Sequence, residues 1–281
     1  MLTTFKRALE HIVSPKTLVR TVKRTLTRES RTRQFIALEK HRLDHRKVPD
    51  DFFDLQDALF LPAREVARAL TLSVMYINIA DVKGDVAEFG TMSGVTARAI
   101  AFAMVFDPQR QKSRPLRRLR LFDSFEGLPM ITSAVDRSSP HVVSGDWAKG
   151  GCLVLSAHQL RAAMTEILPS ERIEINEGWF SETANALPSD TRLAMIHFDG
   201  DLYQSMIDAL TPCFDRGFVS RGAVLCFDDW NCNQADPSYG ERRAWAELTE
   251  KFQIVASHCG YYSSMATKFI VHSYRGMPTT G

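Results

Sequence analysis

From residue 63 onward, the chain alternates between segments of helical periodicity and short runs that are almost wholly apolar. Apolar residues spaced three and four positions apart predict amphipathic helices, and short apolar runs predict buried strands. Predicted helices cover 64–80, 94–106, 156–168, 203–214 and 241–252, and predicted strands cover 85–90, 119–125, 172–180, 193–200 and 222–229. This alternation predicts a parallel α/β sheet with right-handed crossovers. Two further apolar runs, 252–259 and 267–274, have no helix between them and predict a terminal antiparallel hairpin.

Two of the predicted strands end in carboxylates. LAMIHFDGD ends in Asp199 and Asp201, and GAVLCFDD ends in Asp228 and Asp229. Ligands of open α/β sheets bind beyond the carboxyl ends of the strands, where these acids lie. Carboxylates suit a hard divalent cation, whereas carboxylates that converge without a cation raise each other's pKa. The alternatives are separate solvated loop acids or helix N-caps, and Asp201, just before the helix at Tyr203, is the best candidate for a cap.

The first predicted strand runs into a glycine turn, EFGTMSG, which contains Glu88, Gly90 and Gly94. A strand that enters such a turn before a helix directs backbone N–H groups toward a ligand. Gly90 would permit close approach of the backbone, and Gly94 close packing at the start of the helix. The dinucleotide fingerprint GxGxxG is not met, because Met92 and Val95 occupy its other two glycine positions. The version found here, ExGxxxG, is typical of proteins that bind nucleoside methyl donors.

The second predicted strand ends in FDSFEGLP, whose Asp123 lies 33 residues after Gly90. An acid at this position commonly accepts hydrogen bonds from the ribose hydroxyls of nucleotide-type cofactors, usually about 20 residues after the glycines. The loop at 107–118 accounts for the longer spacing. The alternative is that Asp123 forms a turn or caps a helix.

Four segments, in order along the chain, resemble the macrocin and mycinamicin type of sugar O-methyltransferases. They are FDSFEGLP, GWF at 178–180, HFDGDLYQSMIDAL, and VLCFDD followed by GERRAW. The resemblance covers roughly residues 60–275. It implies a class I methyltransferase fold, which is Rossmann-like and has a mostly parallel seven-stranded sheet. It also implies that a metal-dependent enzyme transfers a methyl group from S-adenosylmethionine to a sugar hydroxyl on a natural product or glycan.

The resemblance also assigns roles to individual residues. It implies that Asp199, Asp228 and Asp229 bind Mg²⁺, and that seven residues form the cofactor pocket: Glu88, Gly90, Thr91, Gly94, Asp123, Ser124 and Gly178. Asp199 is the candidate for removing the hydroxyl proton, because the strand order places it nearest the incoming methyl group. The alternative is a histidine base, either His197 or His141. His197 is more simply interpreted as a hydrogen-bonded core residue. His141 lies in the polar stretch at 132–151, which is expected to cover the acceptor.

Charge is distributed unevenly along the chain. Residues 1–47 contain thirteen Lys or Arg and four Asp or Glu, a net charge of +9, whereas the whole chain carries +2, so residues 48–281 carry −7. The basic segment lacks the interleaved aromatic residues of a single-strand stacking platform, so nucleic-acid binding is not expected. We expect a basic helical extension at 1–60 and a catalytic domain at 61–281. The extension suits docking onto a partner subunit, so a homo-oligomer is one expectation.

Composition limits the remaining classes. No run of about 18 apolar residues occurs, so no membrane span is expected, and the first residues lack the apolar segment of a secretory signal. Five cysteines, an odd number without a CxxC pair, favour reduced thiols in a cytoplasmic protein. The O-methyltransferase is favoured. An NAD(P)-linked oxidoreductase lacks the middle glycine of its fingerprint, and a non-catalytic binding protein on the same scaffold would not need acids at 199, 228 and 229.

Overall fold

The computed structural model describes the backbone of residues 55–106 and 116–278 and the side chains of 65–105 and 116–278. A compact unit begins at Leu61. The predicted basic extension at 1–60 lies almost wholly outside the described residues, and it stays a prediction. None of the helices in the described ranges combines the length and the apolarity that crossing a membrane requires.

Seven strands form one sheet. The strands are β1 (Asp85–Phe89), β2 (Leu119–Asp123), β3 (Ile173–Glu177), β4 (Leu193–Phe198), β5 (Val219–Phe227), β6 (Val255–Tyr261) and β7 (Thr267–Ser273). Their order in the sheet is β3-β2-β1-β4-β5-β7-β6. The first five strands run parallel, and β7 pairs antiparallel with both β5 and β6. This confirms the predicted mostly parallel sheet and its terminal antiparallel hairpin. The order reverses between β1 and β4, and this is the switch point at which ligands bind in open α/β sheets.

Helices cover both faces of this sheet. They are α1 (Leu55–Ile79), α2 (Val95–Phe106), α3 (Ala134–Ser138), α4 (Pro140–Val143), α5 (Ala157–Thr165), α6 (Phe180–Thr183), α7 (Tyr203–Asp215) and α8 (Gly240–Phe252). One apolar cluster joins α7 and α8 to the sheet, through residues such as Phe214 and Trp245. A second joins α1, α2 and α5 to the opposite face, through residues such as Ile77 and Ile100. Because both faces are covered, all six residues of β4 are buried, which explains its continuous apolar sequence.

Several boundaries differ from the prediction. β3 ends at Glu177 rather than continuing to residue 180, because Gly178 turns the chain with a φ of +136° and Phe180 starts the short helix α6. The polar stretch at 132–151 contains two short helices, α3 and α4, and the Ser133 hydroxyl caps the first by accepting the N–H of Val135. These helices have five and four residues, too few to show an apolar periodicity in the sequence.

The start of α7 also differs from the prediction, and Asp201 does not cap it. Asp201 adopts a left-handed conformation with a φ of +61°, and Leu202 is the N-cap residue, without a side-chain hydrogen bond. The cap comes from α3 instead. The Asp136 carboxylate accepts the N–H of Tyr203 at 2.9 Å and of Gln204 at 3.1 Å. A residue distant in sequence therefore satisfies the first donors of this helix.

Candidate active site

The carboxyl ends of β1, β4 and β5 lie side by side, and their backbones are joined beyond the strand ends. The Asp199 N–H donates to the Phe89 carbonyl oxygen at 2.8 Å, and the Asp228 N–H donates to the Phe198 carbonyl oxygen at 3.1 Å. Asp199, Asp228 and Asp229 therefore leave neighbouring strands at the same edge of the sheet, as the sequence pattern predicted.

Position 90, directly after β1, must be glycine because the backbone of Asp199 leaves no room for a side chain there. Its φ is +88°, and a Cβ atom at this position would lie 1.8 Å from the Asp199 carbonyl oxygen. The structure shows that Gly90 admits the neighbouring strand end, and its close approach to a ligand stays a prediction. The contact fixes the glycine turn against the carboxylates at the end of β4.

The carboxylates beyond β4 and β5 form a cluster of four, which we call the acid cluster: Asp199, Asp201, Asp228 and Asp229. Each is half-buried, so none is a fully exposed loop acid. Burial, followed by repulsion from Asp228 and Asp229, raises the pKa of Asp199 well above its ordinary value. Burial and the neighbouring Asp201 and Asp228 do the same to the pKa of Asp229. The pKa of Asp201 is raised to about 7, first by burial and then by Asp199.

The acid cluster has little positive charge nearby. In the described part of the chain, no Lys or Arg forms an ion pair with any of its four members, and the one basic neighbour is His197 beside Asp228. Like charges that converge in a partly desolvated place are costly unless protons or a cation neutralise them. The cluster therefore has the electrostatic character of a cation site.

His197 lies fully buried on β4 between two carboxylates. Its Nδ1 is 2.9 Å from Glu88 Oε1, and its Nε2 is 3.8 Å from Asp228 Oδ1. Burial opposes the charged imidazolium, but the Asp228 and Glu88 carboxylates prevail and raise the pKa of His197 well above its ordinary value. A histidine that already favours its proton is a poor base. The contacts agree with the reading of His197 as a hydrogen-bonded core residue that links β1 to the acid cluster.

A further carboxylate, Glu241, was not singled out by the sequence pattern. It lies in the first turn of α8 and is 1% exposed. Burial, followed by the charges of Asp229 and Asp228, raises its pKa well above the ordinary value. An acid in the first turn of a helix is common, because the helix dipole favours it. One signal could have identified Glu241: it occupies the same helical stripe as the buried residues Ala244, Trp245, Leu248 and Phe252.

Asp123 holds the glycine turn in shape. Its Oδ2 accepts the N–H of Thr91 at 2.7 Å, the Thr91 hydroxyl at 2.9 Å and the N–H of Met92 at 3.2 Å, while Oδ1 accepts the N–H of Phe125 at 2.8 Å. These contacts agree with the turn-forming alternative. A carboxylate has about four acceptor sites, so Oδ1 keeps capacity for one more donor. Contact with a ribose hydroxyl stays a prediction, and it would involve Oδ1.

The other predicted cofactor residues lie at the ends of β1, β2 and β3. A Cβ atom on Gly94 would lie 2.8 Å from Leu160 Cδ1, which agrees with close packing at the helix start. The Ser124 hydroxyl donates to the Gly127 carbonyl oxygen, and the Gly178 N–H donates to that of Asp123. Glu88 Oε2 is buried and has no hydrogen-bond partner among the described residues. An orphaned carboxylate oxygen beside a glycine turn fits a ligand that carries an amino group.

The polar stretch at 132–151 is anchored to the loop between β5 and α8. The N–H of His141 donates to Asn233 Oδ1, and the N–H of Asn233 donates to His141 Nδ1, both at 3.0 Å. The His141 ring also stacks on Trp147 at 4.6 Å between ring centroids. His141 is therefore held by hydrogen bonds to Asn233 and by stacking on Trp147. The long segment between the Asp228–Asp229 pair and α8 provides the partner, through a left-handed turn at Asn233–Ala235.

The fit of a metal ion can be tested on the donor atoms. Within the described residues, no group of three or more His, Cys, Asp or Glu side chains is arranged closely enough to hold a metal ion as it stands. The chemistry of the donors nevertheless fits a hard cation, because the acid cluster offers carboxylate oxygens. In that part of the chain, Asp229 Oδ2 is buried without a hydrogen-bond partner. Binding of Mg²⁺ at Asp199, Asp228 and Asp229 stays a prediction.

The sheet order is that of the class I methyltransferase fold. The O-methyltransferase NovP superposes with a TM-score of 0.58 at 24% identity, over 74% of this chain and 80% of that chain. The calicheamicin methyltransferase CalS11 superposes with a TM-score of 0.56 at 22% identity, over 84% and 91%. At these identities the likeness establishes the fold alone.

The family follows from the sequence itself. A profile of the macrocin-O-methyltransferase (TylF) family matches residues 3–264, so the chain belongs to that family. This confirms the resemblance noted above.

Two curated relatives are similar over part of their length. The 8-demethyl-8-(2,3-dimethoxy-alpha-L-rhamnosyl)-tetracenomycin-C 4'-O-methyltransferase of Streptomyces olivaceus is 32% identical over 154 residues, 53% of this chain and 54% of the relative. The mycinamicin III 3''-O-methyltransferase of Micromonospora griseorubida is 28% identical over 168 residues, 57% and 62%. The chain thus spans little more than half the length of the curated relatives it matches.

Proposed function

We propose that this protein is an S-adenosylmethionine- and Mg²⁺-dependent O-methyltransferase that methylates a sugar hydroxyl on a natural product or glycan. One observation carries the proposal: an acid cluster without counter-charge lies beside the glycine turn of β1, in a chain of the macrocin-O-methyltransferase family. The tetracenomycin relative is named for a rhamnosyl-bearing substrate, which supports a sugar as the acceptor class.

S-Adenosylmethionine, when bound, supplies a methyl group on a positively charged sulfur. The chain must orient the acceptor hydroxyl toward that methyl group and remove the hydroxyl proton as the new carbon–oxygen bond forms. Asp199 is the candidate for the proton transfer because of its position: it follows β4 and its N–H is bonded to the end of β1, beside the turn that is expected to hold the methyl donor. General-base assistance of this kind contributes about 10²–10⁴-fold to a rate. The products are a methyl ether and S-adenosylhomocysteine, and the proton leaves through Asp199.

In this proposal, Asp199, Asp228 and Asp229 hold the Mg²⁺ ion. When bound, the ion polarises the oxygens of the sugar and favours loss of the proton. His197 positions Asp228 in this proposal. Its Nε2 lies 3.8 Å from Asp228 Oδ1, while its Nδ1 is held by Glu88 Oε1 at 2.9 Å. The glycine turn and Asp123 keep the methyl donor beside these acids. The seven predicted residues at the ends of β1, β2 and β3 bind the cofactor in this scheme.

Removal of either central acid should abolish turnover without loss of the cofactor. We expect Asp199→Asn and Asp228→Asn to lose measurable methylation of glycosylated acceptors, followed by mass spectrometry, while calorimetry shows S-adenosylhomocysteine binding close to wild type. Exposed Asp190 offers a matched control, and Asp190→Asn should remain fully active. EDTA should stop the wild-type reaction and Mg²⁺ should restore it. Full activity in metal-free protein would contradict the metal role and favour a base acting alone.

The same calorimetry separates the alternative functions. Binding of NAD in place of S-adenosylhomocysteine would favour the oxidoreductase, although the chain lacks the glycine pattern of that class. Cofactor binding without methylation of any of a broad set of sugar acceptors would favour a binding protein on this scaffold.

A further inference from the structure

Glu241 is a buried carboxylate without a counter-charge. It is 1% exposed, and neither Oε1 nor Oε2 has a hydrogen-bond partner among the residues that the structure describes. No Lys or Arg of the described ranges forms an ion pair with it. Buried charged groups are normally paired or coordinate an ion. Among the described residues, Glu241 has no partner of the first kind.

Glu241 faces the acid cluster. After burial, repulsion from Asp229, Asp228 and Asp199 contributes to the raised pKa of Glu241. The charge of Glu241 in turn contributes to the raised pKa of the Cys232 thiol. That thiol lies 3.3 Å from Asp229 Oδ1. The backbone N–H of Asp229 lies close enough to the Glu241 carboxylate to lower its pKa, so Glu241 lies on the Asp229 side of the cluster. Asp229 Oδ2 is likewise buried without a partner in this part of the protein. The backbone N–H of Asp201 lies close enough to the Asp229 carboxylate to lower its pKa, but among the described residues no donor forms a hydrogen bond with Asp229 Oδ2 or with either oxygen of Glu241.

The adjoining residues direct Glu241 inward. Arg242 is held away by hydrogen bonds from Nε to the Trp230 carbonyl oxygen at 2.9 Å and from a terminal nitrogen to Asn231 Oδ1 at 2.6 Å. Its guanidinium also lies 4.9 Å from the Trp230 ring centroid. Arg243 pairs with Glu247 at 2.8 Å on the outer face of α8. The two arginines next in sequence are committed elsewhere, so neither neutralises Glu241.

We propose that Glu241 is an additional carboxylate of the cation site, standing beside Asp229 and contributing its negative charge to the bound ion. The inference rests on the proposed function, because it takes Asp199, Asp228 and Asp229 as the primary ligands. The affinity of an oxygen-ligand site rises with the number of its negative charges. A cation would also relieve the repulsion that now acts among the five carboxylates. Groups that support metal ligands in this way commonly change metal affinity by about 10–100-fold when they are replaced.

The test is the binding of Mn²⁺, a spectroscopic substitute for Mg²⁺, to the full-length protein. Free Mn²⁺ is measured by electron paramagnetic resonance for wild type, Glu241→Gln and Glu250→Gln. Glu250 is an exposed acid on the same helix, so its replacement removes the same charge away from the cluster. We expect Glu241→Gln to weaken Mn²⁺ binding by about 10–100-fold, and Glu250→Gln to leave it unchanged. Binding of S-adenosylhomocysteine, measured by calorimetry, verifies that each variant is folded.

The outcomes separate this inference from the proposed function. Mn²⁺ binding by wild type that Glu241→Gln leaves within about twofold would overturn the role of Glu241 alone, and Glu241 would then be a neutral buried acid. Absence of Mn²⁺ binding by wild type would overturn both the metal part of the proposed function and this inference. A loss in Glu241→Gln that Glu250→Gln reproduces would identify a general effect of net charge, and would also overturn it. Thermal unfolding gives a second readout: the increase in Tm on adding Mn²⁺ should be smaller in Glu241→Gln than in wild type.

Discussion

Cys152 is an exposed residue, and the charge of the acid cluster contributes to the pKa of its thiol. Its pKa is raised to about 12, first by burial of the sulfur and then by the carboxylates of Asp201, Asp199 and Asp229. Because the thiolate is the reactive form of cysteine, exposure alone overstates the reactivity of this residue.

Alkylation can therefore report on the cluster. We expect iodoacetamide at pH 8 to label Cys152 at least about tenfold more slowly in the folded protein than in urea, because its pKa is ordinary only in the unfolded chain. Addition of Mg²⁺ should accelerate labelling of Cys152, since neutralising the carboxylates lowers its pKa. Peptide mass spectrometry measures both rates, and Cys259 on β6 serves as the internal control that the ion leaves unchanged. Equal labelling of Cys152 in folded and unfolded protein would contradict this electrostatic picture.

At the same scale, the sequence predicts some site residues and not others. The placement of Asp199, Asp228 and Asp229 at one edge of the sheet was predictable, because these acids follow apolar strands and parallel strands end at the same edge. Their role in binding a metal stays a prediction. Glu241 was not identified, because its approach to the cluster depends on a loop with an irregular left-handed turn at Asn233–Ala235. Loop conformation of this kind arises from tertiary contacts, which spacing along the chain does not encode.

At the scale of elements, the cap of α7 is the clearest contact between distant segments. Asp136, 2% exposed, accepts the first two N–H groups of that helix. We expect Asp136→Ala to lower the free energy of unfolding by about 1–2 kcal/mol, the usual cost of a lost N-cap. Urea denaturation followed by circular dichroism measures the effect. Asp190→Ala, at an exposed position, should change stability by less than about 0.5 kcal/mol. Equal effects of the two substitutions would show that the cap contributes nothing.

The strands and long helices follow from local patterns, whereas the short elements do not. β4 and β5 are covered on both faces, so their apolar runs were unambiguous, and α7 buries Met206, Leu210 and Phe214 at helical spacing. Asp201 met the local rule for an N-cap but lost that role to Asp136. A capping rule counts residues along the chain, and it cannot detect a donor or acceptor that arrives from another element.

At the scale of the whole molecule, the predicted extension and the rest of the chain carry opposite charge. Deletion of residues 1–47 should leave the fold and S-adenosylhomocysteine affinity close to wild type, because the described core clusters begin at Ala69. It should also change the oligomer size seen by size-exclusion chromatography, if the +9 segment docks onto the −7 remainder of a neighbour. High salt should then mimic the deletion in the full-length protein, because salt screens such docking. Failure of the shortened chain to fold would show that the segment belongs to the core.

The contact between Gly90 and the Asp199 carbonyl has a thermodynamic consequence for the whole site. The turn that is expected to hold the methyl donor and the strand end that is expected to hold the cation approach each other closely at this one backbone contact. Any energetic coupling between two ligands that bind such adjacent segments is reciprocal. The factor by which a cation changes affinity for the donor must equal the factor by which the donor changes affinity for the cation. Any such factor would pass through the contact at Gly90, and the near-wild-type cofactor binding expected of Asp199→Asn and Asp228→Asn corresponds to a factor close to one.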